Sequence, residues 1–234
     1  MKKLPEKIVN FRHKLYQLFP KRKDAIFELM DANTASNRPV NSVVHLSKSK
    51  YFTLQYPSIT DAISDGLDEA RWDDIQKLVW QSTQSEHKAP YHRFVIDCTL
   101  QDRLYAKTLH DRSIVHKANP APGNKPICAG HEYSTVAYVP PGTSAERQRW
   151  LVPLATERVP SGHKGHDVGM SQVARLVKQL DLEDSLTLSI GDSAYAPESC
   201  RQQTAILKAH IHIARLRSNR NVFELLPKAA TTKT

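Results

Sequence analysis

The sequence predicts an α/β protein: a mixed five-stranded sheet flanked by helices and preceded by a helical N-terminal region. Three observations carry this. Apolar residues recur at helical spacing through residues 1–88. Beyond residue 89 the apolar runs are short, as strands are. The joins between those runs are first short and then helical. The chain has 234 residues, 40% hydrophobic and 24% charged, which is enough to bury a core and excludes wholesale disorder.

In the N-terminal region Ile8, Phe11, Leu15 and Leu18 follow Pro5 at helical spacing, and Pro20 ends that helix. Ala25, Ile26, Leu29 and Met30 form a second stripe. Ser58, three residues before Asp61, resembles a capping box opening a short helix that stops near Asp65-Gly66. Trp72, Ile75 and Val79 mark a longer helix. Ser85 to Arg93 then reads as a linker.

The pattern changes at Phe94-Val95-Ile96, a continuous apolar run closed by Asp97, as in a strand buried on both faces. His131–Val139 and Trp150–Val159 are two more strands, joined through Pro140-Pro141-Gly142, and ANPAPGNKP between the first two is a loop. Met170, Val173, Leu176, Val177 and Leu180 mark an amphipathic helix. Leu186–Asp192 is a fourth strand, and Pro197 suits the first residue of a helix running to Lys208. Ile211 and Ile213 alternate with His210 and His212 in a fifth strand. Short joins imply antiparallel neighbours and helical crossovers parallel ones, so the sheet over residues 89–220 is mixed, with an irregular tail at 221–234.

The net charge is +9, which suits a polyanionic partner such as nucleic acid. The basic excess gathers at both ends, while residues 61–74 are acidic. No apolar run is long enough to span a membrane, and no signal peptide is visible, so a cytoplasmic location is expected. Cys98, Cys128 and Cys200 lie far apart, with no CxxC pair to suggest a disulfide framework or a zinc site. Phosphate-loop and dinucleotide glycine motifs are missing, and Ser134 and Ser193 lack nucleophile-elbow glycines. His163 and His166 have zinc-like spacing without companion ligands, so they read as part of a loop before the Met170 helix. His210 and His212 read as partly exposed structural residues, and Asp102 and Asp111 as loop-solvating acids.

Two acids remain, Asp97 and Asp192, each closing an apolar strand. A carboxylate there is unfavourable to bury unless it is paired, bonded or metal-bound. If the first and fourth strands are neighbours, both acids emerge at one edge and can share a divalent cation. Oxygen-only ligands favour Mg²⁺ or Mn²⁺.

The strings HRFVIDCTLQDR, AGHEYSTVAYVP, WLVPLATERV, IGDSAY and ARLRSNR follow one another between Ser85 and Arg220. This ordered set resembles the DDE transposases of bacterial insertion sequences, whose catalytic domain is ribonuclease-H-like. The resemblance implies that Asp97 and Asp192 are the first two members of a metal-binding catalytic triad that holds two Mg²⁺ or Mn²⁺ ions. It also implies cleavage at element ends followed by strand transfer into target DNA, so the partner is double-stranded DNA; a homo-oligomer is compatible with this. Lys21, Arg22 and Lys23 in the N-terminal helices, with Arg215, Arg217 and Arg220 near the sheet edge, are the expected phosphate contacts. Such transposases carry a third acid, a Glu on a helix after the fifth strand. Here only Glu224 follows Arg220, in VFELLPKAATTKT, which does not match that motif. The expectation is an incomplete, weakly active or inactive transposase. Its rivals are a non-catalytic DNA-binding remnant and an unrelated nuclease of the same fold.

Overall fold

The computed structural model describes residues 5–40, 42–83, 90–103, 105, 108, 110–116, 122–123, 126–141 and 150–218. Seven α-helices and six strands lie among them. The chain divides into two compact units, one of residues 1–89 with 140–154 and 179–181, the other of 90–139, 155–178 and 182–234.

The first unit is helical: α1 Glu6–Gln17, α2 Lys23–Thr34, α3 Val43–Ser47, α4 Pro57–Asp61 and α5 Trp72–Thr83. The apolar stripes meet, although Ile8, Met30 and Trp72 of those stripes stay exposed. Leu15 and Phe19 join Ala25, Ile26, Ala62, Ala70, Ile75 and Leu78 in one core cluster, while Ala32 meets Phe52 and Ile59 in another. Arg12 clamps Asp31 through two hydrogen bonds of 2.8 and 2.9 Å, tying α1 to α2. Ser58 is not a cap. Pro57 takes the first turn of α4, with Tyr56 at the cap position, because a proline already suits a site where the N–H would be unpaired. The helix passes into a π-helical turn, Ala62–Gly66, and stops where expected. A Cβ on Gly66 would lie 2.7 Å from Ile26 Cδ1 and 3.1 Å from Arg22 Cβ, so a larger residue there would require the Ile26 side chain to move.

The second unit is built on a sheet of β1 His92–Asp102, β2 Ser113–His116, β3 Ile127–Tyr138, β4 Val152–Val159, β5 Thr187–Gly191 and β6 His210–Ala214. The order is β2-β3-β1-β5-β6, and β4 also pairs with β3. β1 and β2 run antiparallel to β3, whereas β1, β5 and β6 are mutually parallel. Helices α6 Gly165–Gln179 and α7 Glu198–Thr204 supply the parallel crossovers. This is the expected mixed, ribonuclease-H-like arrangement, with six strands rather than five.

The added strand is β2, four residues whose single buried side chain, Val115, gives too weak a pattern to read. β1 also runs five residues past Asp97, held by its ladder to β3 rather than by burial. α6 opens at Gly165, so His166 lies in its first turn and not in a loop. α7 ends at Thr204, four residues before Lys208, and Pro197 is its cap rather than its first residue. β4 starts at Val152, leaving Trp150 59% exposed.

One face of this sheet is covered. Phe94, Ile96, Ser134, Val136, Thr187 and Ser189 are buried, and so are Met170, Val173, Leu176 and Val177 of α6. Gly169 brings α6 so close that a Cβ would sit 2.7 Å from Ile96 Cγ2. The polar atoms on this face are satisfied. Ser134 Oγ donates to Gln172 Oε1 at 2.7 Å, and Gln172 Nε2 donates to the Ser134 carbonyl at 3.2 Å.

Candidate active site

The parallel register of β1 on β5 decides where the two acids stand. Its last pair is Val95 opposite Ile190. Two residues further along each strand are Asp97 and Asp192, and the backbone at Asp192 is still extended, with φ −76° and ψ −165°. The acids are therefore level on neighbouring strands about 4.8 Å apart, on the face opposite the helices. They do share one place in the fold, but not as strand-end residues. Asp97 lies in the middle of β1, and only Asp192 follows the end of its strand.

Both carboxylates are exposed, so neither carries the burial penalty that the sequence suggests. Among the described residues Asp97 has no hydrogen bond or ion pair to the protein. Asp192 Oδ1 accepts the Ala194 N–H at 2.8 Å, capping the 3₁₀ turn Ser193–Tyr195. That turn is anchored from below. Tyr195 is 2% exposed, and its ring lies so close to Gly191 that any Cβ there would collide with it. Its hydroxyl is 3.3 Å from Cys98 Sγ, and its carbonyl accepts from His212 Nε2 at 2.8 Å. Burial pushes the Cys98 thiol up to about 11, so it is an inert packing group and not a nucleophile. Burial, then the Cys98 contact, raises Tyr195 too.

Two oxygen donors level on adjacent strands, with no metal-binding cluster of His or Cys beside them among the described residues, match the chemistry of Mg²⁺ or Mn²⁺. Two carboxylates are fewer oxygen donors than the full shell of such an ion requires. Among the described residues no three His, Cys, Asp or Glu side chains gather as a metal site. Glu224 and Arg220 lie outside the described residues. His163 and His166 form no such site either, since His166 packs edge-on against Tyr195.

The basic residues separate into two groups. Lys21 Nζ is 2.5 Å from Glu69, Arg22 is 3.2 Å from Asp61 and 3.9 Å from Asp65, and Lys23 lies over the Tyr16 ring. The basic turn thus meets the acidic stretch of its own unit. Lys7 and Lys14 instead line a groove of about 520 Å³ between α1 and α5. In the second unit Arg215 and Arg217 are exposed, and Arg217 Nε donates to Ser193 Oγ at 3.4 Å, placing a cation beside Asp192.

Two residues of this face escape a sequence reading. Thr135 is the registered partner of Asp97 on β3, and its Oγ1 lies 3.1 Å from Thr156 Oγ1 on β4. Nothing but the register could have singled them out, since threonine is an ordinary strand residue.

Fold and acid pair together define a ribonuclease-H-like protein with two carboxylates level across its central strands. The chain matches the model of the DDE superfamily endonucleases over residues 14–234, and it belongs to that family. Endonucleases of this superfamily act on DNA and use divalent metal ions. No curated protein matches the chain. No helix among the described residues is long and apolar enough to cross a membrane.

Proposed function

We propose that the protein is a transposase-type DNA endonuclease that cuts at the ends of a mobile element and joins them to target DNA. The observation that carries this is the level placement of Asp97 and Asp192 on an open sheet face. Asp97, with no hydrogen bond or ion pair among the described residues, keeps its oxygens available. Asp192 is held in one orientation by the Ala194 N–H and by the buried Tyr195 beneath its turn. These two residues would hold Mg²⁺ or Mn²⁺, and such ions, when bound, polarise a phosphodiester and activate the attacking water or 3′-hydroxyl. Arg217, next to Ser193, and Arg215 would balance the charge of the DNA backbone. In this reading residues 1–88 are the DNA-binding region, 89–220 the catalytic core and 221–234 a tail.

The test is purified protein with supercoiled plasmid DNA and Mn²⁺. Nicking or cleavage lost in both Asp97→Asn and Asp192→Asn, with unchanged melting temperature and retained DNA binding, is the expected result. Cleavage that survives both substitutions would sink the proposal. DNA binding with no cutting by the unsubstituted protein would favour a non-catalytic remnant. Cutting confined to RNA–DNA hybrids would indicate a different nuclease.

A further inference from the structure

We propose that Thr135 and Thr156 form a phosphate-holding subsite beside the acid pair, receiving a backbone phosphate of the DNA strand. This rests on the reading above and extends it to how the strand lies on the sheet. Three level positions run across β5, β1 and β3, Asp192, Asp97 and Thr135, and Thr156 of the neighbouring β4 meets the third. Residues directly opposite one another in a ladder point to the same face, so Thr135 stands on the open side with Asp97. Thr156 is brought to the same place by its 3.1 Å contact.

The chemistry of the pair points to an acceptor. Two hydroxyls carry two protons, and one is used between them. The other O–H is left to donate, on an exposed face, next to two carboxylates that repel any anion lacking a counter-charge. A phosphodiester whose charge is met at the acid pair can present a non-bridging oxygen, or that of the neighbouring phosphate, to this donor about one strand spacing away. The flanking residues on β4 do not compete for it. Glu157 pairs with Arg175 of α6, and Arg158 with Asp111 at 3.1 Å. A neutral hydroxyl pair positions a strand without adding charge, which distinguishes it from Arg217.

The alternative is a cross-strand threonine pair that only stabilises the sheet. Valine has the same shape and strand preference, so the double variant T135V/T156V separates the two roles. Affinity for a short fluorescein-labelled DNA duplex is measured by anisotropy with Ca²⁺ over a range of NaCl concentrations, alongside melting temperature. The expected result is about a tenfold weaker affinity in T135V/T156V, with most of it restored in T135S/T156S. The melting temperature and the slope of log affinity against log salt should stay unchanged, because no counterion is released by a hydroxyl. Unchanged affinity, a changed salt slope, or a loss that follows melting temperature and is not rescued by serine would overturn the proposal. Asp97→Asn serves as the reference. If it removes the Ca²⁺ dependence of binding while the valine variant is silent, the acid-pair reading stands and the threonine subsite falls. If the unsubstituted protein binds DNA without any Ca²⁺ dependence, both fall.

Discussion

The two faces of the second unit's sheet make opposite use of the same strands. On the covered face Ile96 is 2% exposed and Ser134 fully buried, and even the polar atoms are paired. On the open face Asp97, Thr99 and Gln101 of β1 are exposed, and Ile211 and Ile213 of β6 are 49% and 47% exposed. Strand alternation puts these tasks one residue apart, so Ile96 carries stability and Asp97 is free for chemistry. Neighbouring substitutions should therefore fail in different assays, and the contrast can be broken residue by residue.

The sharpest case is the acid pair. Asp97→Asn should lower Mn²⁺-dependent DNA cleavage by about a thousandfold with no change in urea midpoint, because it removes charge and leaves shape. Asp192 adds a refinement. Asparagine still caps the Ser193–Tyr195 turn, so Asp192→Asn should lose activity alone, whereas Asp192→Ala should also destabilise by about 1 kcal/mol. Equal urea midpoints for the two Asp192 variants would mean that the cap contributes nothing.

The covered face should give the reverse signature. A Cβ at Gly169 meets Ile96, Ser134 and Tyr195 at 2.7 to 3.1 Å, and the strand beneath it cannot retreat from a packed helix. Gly169→Val should cost about 3 kcal/mol by overpacking. DNA cleavage per folded molecule should persist, and a stable Gly169→Val protein in urea titration would contradict the close packing.

Acid exposes the same face through a histidine. Burial, and then the neighbouring His212, hold His210 down at about 4, below its ordinary 6.5. Its two nitrogens lie 2.8 Å from Thr187 Oγ1 and 2.9 Å from Ser189 Oγ. The folded state thus binds this proton less readily than the unfolded chain. The contribution is complete above the unfolded value and is lost as pH falls from about 6.5 through about 4. With an allowance for partial solvent screening, the loss is about 1 kcal/mol, read as a pH-dependent urea midpoint that His210→Gln should flatten.

Periodicity exposes burial, and burial was readable wherever it was strong. The N-terminal stripes, the Phe94 and Leu186 strands and the Met170 helix all sit where apolar spacing puts them. What was not readable depends on pairing. The second half of β1 exposes Thr99, Leu100, Gln101 and Asp102, so its only support is the ladder to β3, which no local pattern reports. Asp97 and Asp192 were legible as acids after apolar runs. Their level placement, and that of Thr135, is a property of register between segments far apart in sequence. The partners of Lys21 and Arg22 were hidden for the same reason, since Glu69 lies 48 residues beyond Lys21 and Asp61 39 beyond Arg22 along the chain.

Those two cations provide the smallest effect and the last contrast. Lys21 and Arg22 are about half exposed and paired with acids, whereas among the described residues Arg217 makes one hydrogen bond, to a serine hydroxyl at 3.4 Å. Exposed ion pairs contribute little, so Lys21→Ala should shift the urea midpoint by less than about 0.5 kcal/mol. For a phosphate to use Lys21 or Arg22 it must displace Glu69, Asp61 or Asp65, whose own charge then repels the DNA. Among the described residues Arg217 makes no ion pair that a phosphate would have to displace. Arg217→Ala should reduce the slope of log affinity against log salt by about 0.9, the release of one phosphate's counterion, and Lys21→Ala should leave it almost unchanged. Equal slopes for the two variants would show that the acidic stretch does not hold the basic turn away from DNA.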